Sequence, residues 1–389
     1  MKKDPYDHEG RYKRWRKVVE KTGIPNISKY NSDLILQYLE DMEYGYNVSK
    51  SSSKGGRSYI RLNTLRQKLI FFAKKFKELY GCDKITDVTE LQLCQFFVKM
   101  SKGIIKRVDG KPYICAGYYV KNFKAFWHWF MKINKKQGIK IKEITEDLDS
   151  TQTKPKWVYL TEDQVKLLCQ NATYKYRVLI MFLFDSGIRS PTELINIKVS
   201  DFYNDFKELC IRDEVSKTFG RRIKLMICSE LIKGYVESQG FKENDPIFDI
   251  SPKKTNQYLR RLALRILGDK ESPAGQKYSD LTMYDFRHIS TCYWLPRYKS
   301  ESALKFRFGW KKSDKIHYYS EMLGMRDTIN EEDMLVDVTK TEIEKRLMQS
   351  ENEKDILKER VQSLESQMQK MLQLVNKAVF VVQENGRDL

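Results

Sequence analysis

The chain has 389 residues, which exceeds a typical single domain and predicts two substantial hydrophobic cores with an additional segment. Lysine and arginine outnumber aspartate and glutamate by 71 to 52, so the formal net charge is +19 and favours a polyanionic partner. Hydrophobic residues make up 41% of the chain and aromatic residues 12%, a composition that argues against global disorder.

The cysteines, histidines and hydropathy argue against metal, disulfide and membrane roles. Seven cysteines are scattered without a C-x-x-C pair, and four histidines show no ligand spacing, so we expect reduced thiols and no zinc site. No apolar run approaches the roughly 20 residues that span a bilayer. The polar N-terminus lacks the apolar core of a signal peptide. We therefore expect a cytoplasmic protein.

The first third of the chain is predicted to be helical. Residues 1–28 are interpreted as a basic N-terminal arm that touches phosphates, or as a solvated helix. Apolar residues then recur at helical spacing within residues 29–145, and one amphipathic stretch ends at Gly81, a helix C-cap signal. An aromatic stripe near the end of this region is interpreted as core packing rather than a base-stacking surface: Phe123, Phe126, Trp127 and Phe130.

A second domain is predicted over residues 159–330. Residues 146–158 are low in apolar side chains and are interpreted as the linker before it. At its start Thr161 and Gln164 have the spacing of a helix capping box.

Two short stretches of this domain, residues 208–212 and 222–227, alternate as β-strands. They predict a hairpin that carries Lys217 at or near its tip. The predicted fold class is therefore α+β: mainly helical, with a small β-hairpin or sheet.

Residues 340–384 differ in kind from the rest of the chain. Apolar residues from Ile343 to Val382 follow alternating steps of four and three in a run rich in Glu, Lys and Gln, which predicts a coiled coil. The polar seam positions Ser350 and Lys354 leave open a helix folded back on its own domain.

An arginine, a hairpin lysine, a second arginine and a tyrosine follow one another along the second domain. Arginine binds phosphate oxygens bidentately and stays charged, while lysine has a tunable pKa and can protonate a departing oxygen. A tyrosine that attacks phosphorus conserves the phosphodiester energy in a covalent intermediate, so the reaction needs no cofactor. The order of residues matches this chemistry.

The residues that carry this order resemble the tyrosine recombinase, or phage integrase, family over about residues 30–325. Gly187-Ile188-Arg189 with Glu193 resembles the first arginine box, with one more residue than usual between arginine and glutamate. Lys217, in Ser-Lys-Thr-Phe-Gly-Arg-Arg-Ile, resembles the family's hairpin lysine, and Arg287, in Tyr-Asp-Phe-Arg-His, the second arginine. The resemblance implies that both arginines bind the scissile phosphate and that Lys217 is the general acid.

Two usual histidine positions hold other residues. Tyr284 stands three residues before Arg287, as in archaeal-type members, and we expect it to position the phosphate by hydrogen bonding. Phe308-Gly309-Trp310 resembles the Leu-Gly-His box, with Trp310 in the histidine position. The family's nucleophile lies nine residues later, which implies Tyr319, with Tyr318 as the alternative. His288 matches a common supporting histidine.

The resemblance implies a site-specific DNA recombinase that works through a 3′-phosphotyrosine and integrates or excises a mobile element at the nucleoid. Its helical N-terminal domain, of the SAM-like core-binding type, would close with the catalytic domain around double-stranded DNA. We expect a homo-oligomer, a tetramer on DNA and a dimer or larger assembly through the coiled coil. Two alternatives stay open: a non-cleaving architectural or regulatory DNA-binding protein, and a type IB-like topoisomerase.

Overall fold

The computed structural model describes residues 3–49, 54–151, 154–298 and 300–323, together with residues 361, 365, 368 and 369. Within them the chain forms mostly helix and one small sheet, so the predicted fold class is confirmed. The helices are α1 (His8–Thr22), α2 (Lys29–Tyr44), α3 (Tyr59–Tyr80), α4 (Glu90–Ser101), α5 (Ala116–Lys136), α6 (Glu162–Gln170), α7 (Tyr174–Ser186), α8 (Ser229–Gln239), α9 (Pro252–Leu267), α10 (Asp285–Trp294), α11 (Glu301–Phe308) and α12 (Asp314–Met322). The strands are β1 (Phe202–Tyr203), β2 (Glu208–Ile211) and β3 (Arg221–Lys224).

Helices α1 to α5 enclose an aromatic core. Phe76 meets Phe96 edge-on at 5.1 Å between ring centroids, and Phe72 meets Phe123 in the same way at 5.2 Å. Edge-to-face rings pair the positive edge of one ring with the negative face of the other. The aromatic stripe on α5 is buried throughout, since Phe130, its most exposed member, is 9% exposed. The core-packing interpretation of that stripe is confirmed.

The charged N-terminal segment contains a helix that packs on α3. Tyr12 of α1 is buried, and its ring centroid lies 5.7 Å from that of Tyr59. The Arg66 guanidinium lies 4.6 Å over the Trp15 ring, a cation–π contact. Residues 8–22 therefore form a helix that packs on this core.

Helix α7 is the central element of the second core. From Val178 to Ser186 every side chain except that of Met181 is buried. The helix ends at Gly187, whose φ of 58° is left-handed, as its position after an apolar helix predicts. Helix α10 packs on α7, and Trp294 Nε1 donates to the Asp185 carbonyl at 2.8 Å.

The sheet is antiparallel with the strand order β1-β2-β3. The predicted hairpin is confirmed as β2 and β3, while β1 was not predicted. Successive side chains of a strand face opposite sides, and along β3 Arg221 and Ile223 are buried whereas Arg222 and Lys224 are exposed. Lys217 lies in the connecting loop.

Helix α6 begins at the predicted capping box. The Thr161 hydroxyl accepts from the Gln164 N–H, and the Gln164 side chain accepts from the Thr161 N–H. The coiled coil predicted at 340–384 lies outside the described residues apart from positions 361, 365, 368 and 369. None of the helices described has the length and apolar character needed to cross a bilayer.

Candidate active site

Arg189 follows the C-terminal glycine of α7 and is held by Glu193. Its Nη1 donates to Glu193 Oε1 at 2.8 Å, and its backbone N–H donates to Oε2 at 2.9 Å. Its Nη2 donates to the carbonyl of Gly309 at 2.9 Å. The Arg189 side chain is 16% exposed. Arg189 and Glu193 therefore form an ion pair although one more residue than usual separates them in the sequence.

Glu193 also binds Arg221 of β3, for which the sequence predicted no role. Arg221 Nη2 lies 3.0 Å from Glu193 Oε2, and both side chains are almost fully buried. Burial alone would raise the pKa of the Glu193 carboxyl, but the charges and hydrogen bonds of Arg221 and Arg189 lower it to about 2. One carboxylate thus orients two arginines at neutral pH.

Arg287 lies on the first turn of α10 and is 5% exposed. Its Nη1 donates to the Gly187 carbonyl at 2.7 Å, and its Nη2 donates to the Phe308 carbonyl. Burial and the positive charge of Arg189 lower its pKa to about 10, which leaves Arg287 cationic at neutral pH. The two predicted phosphate ligands therefore reach the Phe308–Gly309 backbone from different elements.

The hairpin loop is anchored beside these arginines. Thr218 donates from Oγ1 to the Gly309 carbonyl at 2.9 Å and lies 3.4 Å from Arg189 Nη2. The preceding residue, Lys217, is exposed and forms no hydrogen bond or ion pair with another described residue. The loop is thus anchored beside Arg189 through Thr218, the residue that follows Lys217.

Tyr319 of α12 is 3% exposed and lies among aromatic rings. Its ring is nearly parallel to the Trp310 indole, at 11° and 5.9 Å between centroids, and meets Trp157 edge-on at 6.3 Å. Its Oη lies 2.5 Å from His288 Nδ1. Burial raises the pKa of Tyr319 above its ordinary value, so the phenol keeps its proton at neutral pH.

The hydroxyl of the neighbouring Tyr318 is engaged elsewhere. Trp157 Nε1 donates to Tyr318 Oη at 2.8 Å, and Oη donates to the Pro155 carbonyl at 3.0 Å. Both partners belong to the predicted linker. The two candidate nucleophiles therefore have different environments. Of the two, Tyr319 is the one whose ring contacts Trp310 and whose hydroxyl contacts His288, and it remains the predicted nucleophile.

Tyr284 and Trp310, which stand in the usual histidine positions, lie in the ring cluster around Tyr319. Tyr284 is 49% exposed at the N-cap of α10, and its ring meets His288 edge-on at 5.4 Å. Trp310 stacks on Phe308 at 5.0 Å and 21°. Within the described part of the chain, neither side chain forms a hydrogen bond, so both polar groups are available to a ligand.

A second buried ion pair, also not predicted, connects two of the helices next to the site. Arg307 Nη2 lies 2.9 Å from Asp185 Oδ1, with side chains 2% and 0% exposed. The Arg307 guanidinium also lies 4.2 Å from the Trp294 ring. The pair ties α11, and hence the Phe308–Gly309 turn, to the end of α7. The available signal was Asp185, which directly follows the apolar run Val178–Phe184.

The site combines two fixed guanidinium groups, a free ammonium group, a buried phenol and an imidazole. Such a set can bind a tetrahedral anion through the arginines, deliver a nucleophilic oxygen and protonate a leaving group. Among the described residues, no cluster of three or more His, Cys, Asp or Glu side chains could hold a metal ion.

Known proteins share the fold of this chain at low sequence identity. A lambda integrase dimer bound to a COC′ core site is 16% identical, with 82% of this chain and 88% of that chain covered and a TM-score of 0.55. The XerH site-specific recombinase on a palindromic difH substrate is 14% identical, with coverage of 76% and 94% and a TM-score of 0.53. The Tn1549 transposon integrase with circular intermediate DNA is 13% identical, with coverage of 77% and 100% and a TM-score of 0.51.

No family model and no curated protein matches the chain. Identities of 13% to 16% establish the fold alone, over about four fifths of the chain at most. The helices and the three-stranded antiparallel sheet described above agree with that likeness. The chain therefore has the fold of the tyrosine recombinases and integrases.

Proposed function

We propose that the protein is a site-specific DNA recombinase that cuts and rejoins duplex DNA through a 3′-phosphotyrosine and integrates or excises a mobile element. The observation that carries this proposal is the convergence of Arg189 and Arg287 on the Phe308–Gly309 backbone. The next residue, Trp310, stacks on the buried Tyr319. A phosphate bound by the two arginines would thus lie beside the proposed nucleophile.

In the proposed reaction each residue has one task. Arg189 and Arg287 neutralise the non-bridging oxygens while Tyr319 Oη attacks phosphorus, and Lys217 protonates the departing 5′-oxygen. Tyr284 and Trp310 each donate a hydrogen bond to a phosphate oxygen. Attack by the 5′-hydroxyl of another strand reverses the step and releases Tyr319, so that neither a metal nor another cofactor is consumed.

The partner that fits this site is double-stranded DNA, contacted mainly at its phosphates by a chain of net charge +19. The domains proposed are a core-binding domain at residues 29–145, a linker at 146–158 and a catalytic domain at 159–330. Exchange of strands requires four active sites, so the proposed assembly is a tetramer on DNA. Its place of action is the nucleoid.

The test is formation of a covalent protein–DNA adduct. A randomised duplex pool is enriched for bound sequences, and an enriched duplex is resynthesised with a nick so that the released fragment diffuses away. We expect a denaturant-resistant adduct with the wild-type protein and with the matched control Tyr318→Phe, and none with Tyr319→Phe. An adduct with Tyr319→Phe would contradict the assignment of the nucleophile.

The same protein distinguishes the two alternatives. Specific binding without any adduct would identify a non-cleaving architectural or regulatory protein. Relaxation of a supercoiled plasmid that lacks the enriched sequence would identify a topoisomerase of the type IB class. A recombinase needs the enriched sequence for both cleavage and strand exchange.

A further inference from the structure

We infer that His288 is the general base for the proposed nucleophile and accepts the Tyr319 proton at Nδ1 as Oη attacks the phosphate. This inference rests on the proposed function. It assigns a proton acceptor to a site in which the two usual histidine positions hold Tyr284 and Trp310. The residue lies one position after Arg287 on α10, so one helix turn presents both the phosphate ligand and the base.

The contact between the two residues carries the assignment. Nδ1 of His288 lies 2.5 Å from Tyr319 Oη, and no other described side chain forms a hydrogen bond with that hydroxyl. An Nδ1 that accepts a proton must belong to the tautomer protonated at Nε2. A candidate base must first be within hydrogen-bond reach of the proton, and His288 meets that condition.

The imidazole is held in place by the predicted linker. Trp157 is 3% exposed, and its ring stacks on His288 at 4.8 Å and 25°. Its indole Nε1 donates to Tyr318 Oη at 2.8 Å, so the indole is itself held in place. The Tyr284 ring also contacts the imidazole edge-on, at 5.4 Å between centroids. The ring therefore cannot turn away from Tyr319 without disturbing this stack.

Burial and the neighbouring positive charges keep His288 a free base at neutral pH. Burial, followed by the positive charges of Arg287 and Lys315, lowers its pKa to about 4. The titratable groups that act on His288 are Arg287 of α10 and Lys315 of α12, and those that act on Tyr319 are Tyr284, Arg287, Cys292 and Tyr318. The Asp285 carboxylate is turned away, since it accepts from the backbone N–H groups of Val158 and Thr282.

The other two candidates cannot replace His288. The Trp310 indole N–H is a donor and has no basic lone pair. Tyr284 contacts His288 through its ring and forms no hydrogen bond with Tyr319 Oη. Because burial keeps Tyr319 protonated, the attack requires an acceptor, and the neutral imidazole is the one in contact.

Each bond formed in the proposed step is matched by a bond broken. The Oη–P bond forms while the Oη proton passes to Nδ1, and the P–O5′ bond breaks while Lys217 gives its proton to the 5′-oxygen. The imidazolium at His288 then returns its proton to Oη when a 5′-hydroxyl attacks the phosphotyrosine, and Lys217 regains a proton from that hydroxyl. No oxidant, reductant or further reactant is needed.

The experiment compares adduct formation by wild type, His288→Gln and His288→Phe on the nicked duplex in single turnover. His317→Gln is the matched control, because His317 is exposed on the same helix as Tyr319. We expect both His288 variants to bind the duplex as wild type does and to cleave about 10²- to 10⁴-fold more slowly. His317→Gln should cleave at the wild-type rate.

The pH profile separates a base from a merely structural residue. Wild type should cleave at a nearly constant rate between about pH 6 and pH 8, whereas the His288 variants should gain about tenfold per pH unit because Tyr319 must ionise first. His288 variants with a wild-type rate, or with a slow rate and an unchanged flat profile, would overturn the inference. A wild-type protein that forms no adduct would contradict the proposed function instead.

Discussion

At the scale of single residues, the site depends on charges that the surrounding structure holds in one state. Glu193 is ionised between Arg189 and Arg221, whereas His288 is neutral and Tyr319 is protonated. Burial favours the neutral form of every ionisable group, and Glu193 is ionised because two arginines contact it. The site is therefore preorganised to receive an anion.

The lowered pKa of His288 predicts a pH-dependent stability. The pKa of His288 is 6.5 in the unfolded chain and about 4 in the folded protein, so between these pH values the unfolded state binds a proton that the folded state does not. The protein therefore loses stability as the pH falls from about 6.5 towards 4. Between about pH 7 and pH 5 this residue should account for a loss of about 2 kcal/mol.

Urea unfolding of wild type and His288→Phe at both pH values measures this effect. The phenyl ring keeps the stack on Trp157 but cannot bind a proton, so the variant should lose about 2 kcal/mol less than wild type between the two conditions. Parallel losses in the two proteins would show that His288 titrates normally in the folded state.

At the scale of the elements, three of them converge on one turn. The segment after α7, the hairpin loop and the first turn of α10 all contact the Phe308–Gly309 backbone at the end of α11. This approach is close because Gly187 has no side chain: a Cβ there would lie 2.3 Å from Phe308 Cε1 and 2.7 Å from Ser290 Oγ. The glycine thus serves both as a helix cap and as a packing contact.

Gly187→Ala should therefore destabilise the protein by about 3 kcal/mol, since it adds overpacking to the cost of a left-handed alanine. Gly240→Ala is the matched control, because Gly240 caps α8 at φ 64° and a Cβ added there would meet no atom within 4 Å. It should lose about 1 kcal/mol. Equal losses in urea unfolding would mean that contact with Phe308 contributes nothing.

At the scale of the whole molecule, residues 340–384 are expected to affect the assembly of several protomers. A heptad seam in residues 340–384 predicts self-association, because apolar side chains repeated every 3.5 residues can be buried between helices. Strand exchange between two duplexes also requires several protomers. The segment is therefore expected to contribute to the assembly on DNA.

A chain that ends at residue 339 should have a smaller mass by light scattering than the full chain at the same concentration. Leu357→Asp, at a seam position, should reduce the mass in the same way, whereas Gln362→Asp, outside the seam, should not. An unchanged oligomeric state and unchanged synapsis of the enriched duplex after truncation would contradict this prediction.

Local signals in the sequence were enough to predict much of the fold. The capping box at Thr161, the helix end at Gly187 and the alternation of the hairpin strands are confirmed, because each depends on residues only a few positions apart. The roles of Arg189, Lys217, Arg287 and Tyr319 came from a family resemblance and stay predictions, although the structure brings their elements together.

Long-range contacts decided what local patterns could not. Arg221 and Arg222 are adjacent and chemically identical, yet one is buried on Glu193 and the other faces solvent, because the strand alternates and only one side of it is covered. Tyr318 and Tyr319 diverge in the same way: one hydroxyl contacts Trp157 and Pro155, the other His288. The partners of these residues are distant in the chain. The burial and the hydrogen bonds of each side chain therefore depend on tertiary packing and could not be predicted from its neighbours in the sequence.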